Sequence, residues 1–119
     1  MTDREMLELA AKAAGIIIDH AKRDPSVTFF RNDRGLVINW NPITDDGDAL
    51  RLAVKLGLIV CCGENEWGKR EAVSGVPYNK FGFASAPMMK EPIIDDDLYA
   101  ATRRAIVRAA AKIGEKHGN

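Results

Sequence analysis

Asp45-Asp46-Gly47-Asp48-Ala49-Leu50-Arg51-Leu52-Ala53-Val54-Lys55-Leu56-Gly57-Leu58-Ile59-Val60-Cys61-Cys62 holds a helix and a strand back to back. Asp45 suits an N-cap, because its carboxylate accepts amide hydrogens and complements the positive end of a helix. Leu50, Ala53, Val54 and Gly57 then recur at helical spacing and describe about three turns. Leu58 to Cys62 follows at once as an unbroken apolar run, the pattern of a strand buried on both faces. Both elements must share one core.

Reading outward towards the N-terminus, Trp40-Asn41-Pro42 is a loop that closes a hairpin. Val27 to Phe30 and Leu36 to Trp40 flank the turn-prone Asn32-Asp33-Arg34-Gly35. Ile16-Ile17-Ile18 is β-branched and reads as the start of a strand. Before it, Thr2-Asp3-Arg4-Glu5 is a capping box, and Leu7, Ala10, Ala11 and Ala14 share one helical face that ends at Gly15. Towards the C-terminus, Arg70 to Ser74 and Tyr78 to Ala84 are strand candidates. Ala86 to Pro92 reads as a connection bracketed by prolines. A last helix is expected from near Asp95-Asp96-Asp97 to Gly114. The order predicts a single α+β domain over residues 1–119, in which two or three helices cover one small, mixed, mostly antiparallel sheet.

Composition narrows the function classes. The chain has 119 residues, 46% of them hydrophobic, enough for a core without disulfide staples. Seventeen basic and seventeen acidic side chains cancel, which argues against general nucleic-acid binding and against a membrane-surface role. No apolar run reaches the roughly 20 residues of a membrane span. Met1-Thr2-Asp3-Arg4-Glu5 lacks a basic-then-apolar leader pattern, so a cytoplasmic location is expected. Cys61 and Cys62 are adjacent and cannot staple distant parts of the fold. Both read as buried small hydrophobes.

The motifs are weighed by their chemistry. Gly63-Glu64-Asn65-Glu66-Trp67-Gly68-Lys69 has the spacing of a phosphate loop, but Arg70 stands where Ser or Thr would hold magnesium, and strand follows in place of helix. It reads as a polar turn. Asp45, Asp46 and Asp48 lack the alternating spacing and distant Glu of a calcium loop, so capping accounts for them. No nucleophile, base and orienting group can be assembled around His20 or His117. The expectation is a protein that is not an enzyme, with no cofactor and no metal.

The last helix is richer. From Tyr99 to Asn119 there are five basic residues and one acid. Tyr99, Ile106 and Ile113 mark the inward seam, with Ala109 and Ala110 beside it. Arg104, Arg108 and Lys112 form a stripe turned away from that seam, and Arg103 lies at its rim. Arginine forks match phosphate oxygens, so Arg103, Arg104 and Arg108 are candidate ligand-binding residues. Trp40 and Trp67 are candidates to cover a base. The outward stripe suits a ligand shared between subunits of a homo-oligomer. The adjacent Met88 and Met89 offer a different, adaptable surface for a partner protein.

Two stretches also resemble known sequences. Trp40 to Gly57, and Tyr99 to Ala111, resemble small uncharacterised accessory proteins of bacteriophages and prophages. The opening Leu7 to Gly15 fits them as well. The arrangement is more loosely similar to the phage ABA-sandwich domain. The resemblance implies an accessory protein working by binding inside a bacterial host cell, with a possible anti-defence role. The implied targets are an anionic nucleotide-like ligand or, alternatively, a host protein that it inhibits. It carries over no catalytic residue.

Overall fold

The computed structural model describes residues 1–64, 67–76 and 88–117. Helix α1 (Asp3–Ala14) begins where the Thr2 hydroxyl accepts the Glu5 amide at 3.1 Å, and ends at Gly15 in the left-handed region. Its inward face is Met6, Ala10, Ala11 and Ala14, with Met6 in the place the spacing assigns to Leu7. Strands β1 (Ile17–His20), β2 (Thr28–Arg31) and β3 (Val37–Ile38) follow as an antiparallel sheet in that order. The β2–β3 turn is tied by the Asn32 side chain, which accepts the amides of Arg34 and Leu36. Helix α2 (Asp46–Leu56) starts with the Asp45 carboxylate accepting the Asp48 amide at 2.8 Å, and stops at left-handed Gly57.

A second antiparallel sheet holds β4 (Ile59–Glu64), β5 (Arg70–Gly75) and β6 (Met88–Pro92), and α3 (Leu98–His117) closes the chain. The α+β class is as expected. In place of one mixed sheet there are two, because each strand pairs with its sequence neighbour and such pairs are antiparallel. Residues Met88 to Pro92, expected to be a connection, form β6. Pro92 is tolerated because it ends an edge strand, where no ladder bond needs its missing N–H. The strand expected over Tyr78 to Ala84 lies outside the described residues.

Helix α3 is the hub. It packs against α1, α2 and the β4–β5–β6 sheet. Its first turn is capped by Asp97, whose carboxylate accepts the Ala100 amide at 2.9 Å. Ala101 and Ala105 meet Ala72 of β5, so small residues on both sides let helix and sheet approach closely. The main core joins Met6, Ala10 and Ala14 of α1, Leu52 and Leu56 of α2, Val76, and Ile106, Val107 and Ile113 of α3. Fully burying each leucine or isoleucine stabilises the fold by about 1.5–3 kcal/mol. Arg104 pairs with Asp3, and Gly114 meets Leu9, so α1 and α3 run in the same direction.

Two expectations about α3 are corrected. Gly114 does not stop the helix, which continues to His117. It is buried where a Cβ would overlap the backbone carbonyl of Leu9, so its role is close helix approach. Tyr99 is not part of the inward seam: it is 70% exposed, while Ile106 and Ile113 are buried.

The β1–β2–β3 sheet leans on the helices through α1 and through Trp40, which packs on the main core and meets the Phe30 ring edge-on at 5.0 Å between centroids. Ile16 and Trp40, which flank this sheet in sequence, border one cavity with Leu52. Asp19 lies below its ordinary pKa because it accepts the His20 amide and then the Arg31 guanidinium. Asp24 is lowered by the Ser26 hydroxyl and amide.

Gly114→Ala is expected to lower stability by about 1–3 kcal/mol through overpacking, despite the better helix propensity of alanine. Urea denaturation checks it, and an unchanged midpoint would contradict the close approach. Asp19 and Asp24 should titrate below 3.8 in carboxyl NMR. Their contribution is complete above that value and is lost as pH falls through the lower folded-state pKa. Midpoints at or above 3.8 would refute this.

Candidate functional site

Two depressions lie on opposite flanks of α3. The first is a cleft of about 300 Å³, bordered by Arg104, Arg108 and Lys112 together with Met6, Met89 and Glu91. The sequence-derived stripe is therefore real and faces one space. Its charges are already matched. Arg108 donates to Glu91 at 2.7 Å and to the Lys90 carbonyl at 3.2 Å, and Arg104 donates to Asp3 at 3.0 Å. Lys112 lies 3.5 Å from Glu115. Glu91 is mostly buried and lies within 3.9 Å of both arginines, so an incoming anion would have to compete with a carboxylate in place.

Arg103 lies across the helix from that stripe. Its guanidinium donates to the Ile43 carbonyl and to Asp46, each at 2.7 Å, tying α3 to the start of α2. The tryptophans do not join the arginines. Trp40 is half-buried against Phe30 and the core, and Trp67 is exposed in the turn between β4 and β5. The acids of α2 hold local structure: Asp45 caps, Asp46 binds Arg103, and Asp48 accepts the Asn41 amide and the Arg51 guanidinium.

The second depression is an apolar trough of about 510 Å³ between α2, α3 and β4. Ala49 and Leu50 form one wall, Tyr99, Thr102 and Ile106 the other, and Val60 and Cys62 come from β4. Leu50 is 63% exposed and Val54, one turn on, 72%. The spacing assigns Leu50 and Val54 to the core. The helix buries Ala49, Leu52, Ala53 and Leu56 instead and turns the other two outward.

Strand β4 corrects the plainest expectation. All six of its residues are exposed, including Cys61 and Cys62, because β4 is an edge strand among the described residues and the sheet rests on α3 mainly through β5. An apolar run therefore marks an open edge and not a strand buried on both faces. The Thr102 hydroxyl donates to the Leu98 carbonyl at 2.7 Å, which uses its one hydrogen. The Cys62 thiol, 3.0 Å from the same oxygen, is then the donor in that contact. At the Asp46–Arg103 end the trough is ionic; along Leu50, Val60 and Ile106 it is not.

Comparison with family models, curated proteins and solved structures gives no match. The site is read from its own chemistry. Among the described residues no helix is long and apolar enough to cross a membrane. The trough joins candidate residues that sequence reasoning missed, Leu50 of α2 with Val60 and Cys62 of β4. One signal for it was present. Helix α2 carries more apolar residues than a single buried face needs, and a second apolar stripe asks for a second contact.

Leu50→Asp places a charge on an exposed wall and should leave the melting temperature within about 2 °C of wild type, given a surface effect of at most roughly 0.5 kcal/mol. Leu52→Ala, two residues on, should cost about 2–5 kcal/mol by opening the core. Thermal melts of the two variants side by side check the facing of α2, and the reverse ranking would overturn it.

Proposed function

We propose that this chain is a non-enzymatic binding protein that docks another protein in the apolar trough between α2 and α3. The observation carrying this reading is the exposure of Leu50 and Tyr99 on the walls of an apolar depression, with Val54 exposed one turn beyond Leu50 on α2. Folded chains rarely leave such a patch without a use for it. Leucine and tyrosine also supply large contact area at modest entropic cost. The resemblance of Trp40–Gly57 and Tyr99–Ala111 to phage and prophage accessory proteins supports a host protein of the bacterial cytoplasm as the target. Inhibition, including inhibition of a defence protein, is the matching outcome.

Affinity capture from a bacterial host lysate, quantified by mass spectrometry, tests this. A protein retained by wild type should fall at least tenfold with Leu50→Asp and with Tyr99→Ala. Equal retention by all three proteins would overturn the reading.

A second reading is favoured by one observation, the convergence of Arg104, Arg108 and Lys112 on a single cleft. There the chain captures an anionic nucleotide-like ligand, and a neighbouring subunit of a homo-oligomer supplies the cations that Glu91 and Asp3 cancel within one copy. Native mass spectrometry should then show an oligomer carrying a releasable small anion, lost in Arg108→Glu. A bare monomer in both proteins would remove this reading.

A further inference from the structure

We infer that the trough accepts an extended segment of a partner protein, added as a fourth strand along the outer edge of β4. This rests on the docking reading above and specifies the form and chemistry of what docks.

The first support is the edge itself. No strand among the described residues pairs with the outer side of β4. Edge strands are ordinarily guarded by lysine, proline, a bulge or an inward-pointing charge. From Ile59 to Gly63 this strand has neither lysine nor proline nor any charge, and its register with β5 runs without a bulge from Ile59 to Glu64. It offers main-chain donors and acceptors over roughly 20 Å, the length of six strand residues.

The second support is a mismatch of widths. Strand β5 rests on α3, and β4 lies one strand spacing away, about 4.8 Å. Helix α2 flanks α3 on the same side, and packed helices stand about 8–10 Å apart. The helices therefore overhang the sheet by about one strand. Leu50 lines the trough on that overhang and is exposed. A strand added to β4 would cover Leu50 and would direct alternate side chains into the trough beside Val60 and Cys62.

Charge narrows the partner. At the end where α3 begins, Asp46, Glu64, Glu71, Asp95, Asp96 and Asp97 stand against Lys69, Arg70 and Arg103, an excess of three negative charges. The rest of the trough wall is uncharged. The fitting segment is apolar at alternate positions, with a lysine or arginine at the end that meets these acids. A second copy of the chain fits poorly. Two-fold pairing of β4 with β4 would bring the overhanging α2 of each copy into the same space.

The test selects a displayed library of random heptapeptides on the full chain, then measures the enriched peptides in solution. Enriched sequences should alternate apolar and polar residues and carry a basic residue at one end. They should slow deuterium exchange of the amides from Ile59 to Glu64 at least tenfold, and lose at least tenfold in affinity on backbone N-methylation at alternate residues. Peptides with apolar residues at helical spacing that leave β4 exchange unchanged would overturn strand addition while leaving docking intact. Failure to enrich any peptide, or affinity indifferent to Leu50→Asp, would overturn the docking reading as well. A concentration-dependent dimer of the chain alone, dissolved by Leu50→Asp, would replace the partner segment with a second copy.

Discussion

The contact between Gly114 and the Leu9 backbone is the constraint on which the rest of the molecule depends. With no Cβ at 114, α1 and α3 approach as backbones, and Ala10, Ala11, Ala110 and Ala111 are buried around the crossing. That closeness lets a chain of modest size build a core from small side chains, with few large residues fully buried. It also leaves the other flank of α3 to α2, and one face to the β4–β5–β6 sheet. The two depressions on the flanks of α3 follow from this arrangement.

The two flanks of α3 illustrate how charge and apolar area compete as evidence for function. On the α1 flank the arginines are numerous, yet each meets a carboxylate on a neighbouring element, and the result is a latch between α1, β6 and α3. On the α2 flank there is little charge and much uncovered apolar area. Exposed ion pairs contribute little to stability, whereas uncovered leucine, valine and tyrosine carry a cost that a partner relieves. The trough is for that reason the stronger candidate.

Much of the fold was legible from local chemistry. Thr2 with Gly15, and Asp45 with Gly57, bound their helices because caps are decided by a few adjacent atoms. Asn32 to Gly35 marked its hairpin for the same reason. What could not be read depends on the neighbours of an element. The apolar run from Leu58 to Cys62 has one pattern whether it lies inside a sheet or at its edge. Leu50 and Ala53 are both apolar, and only the direction of approach of α3 decides which is covered. Gly114 reads locally as a helix stop and is overruled by a helix nine-tenths of the chain away. Of the candidate site, the Arg104–Arg108–Lys112 stripe was visible as helical spacing, but its carboxylate partners were not, because Asp3 and Glu91 come from other elements.

The β1–β2–β3 sheet has a consequence of its own. Its flanking residues, Ile16 and Trp40, border the same small cavity, so the intervening chain leaves the helical body and returns to nearly the same place. Such an excursion is a closed cassette whose entry and exit are fixed by the host fold. Its β1–β2 side is tied to α1, where Arg4 donates to the Pro25 carbonyl and Thr28 to Glu8, so the variable part is the β2–β3 turn. The molecule is in this sense a platform with an exchangeable appendage, and the hairpin is the place where new specificity could be grafted at the smallest cost to the core.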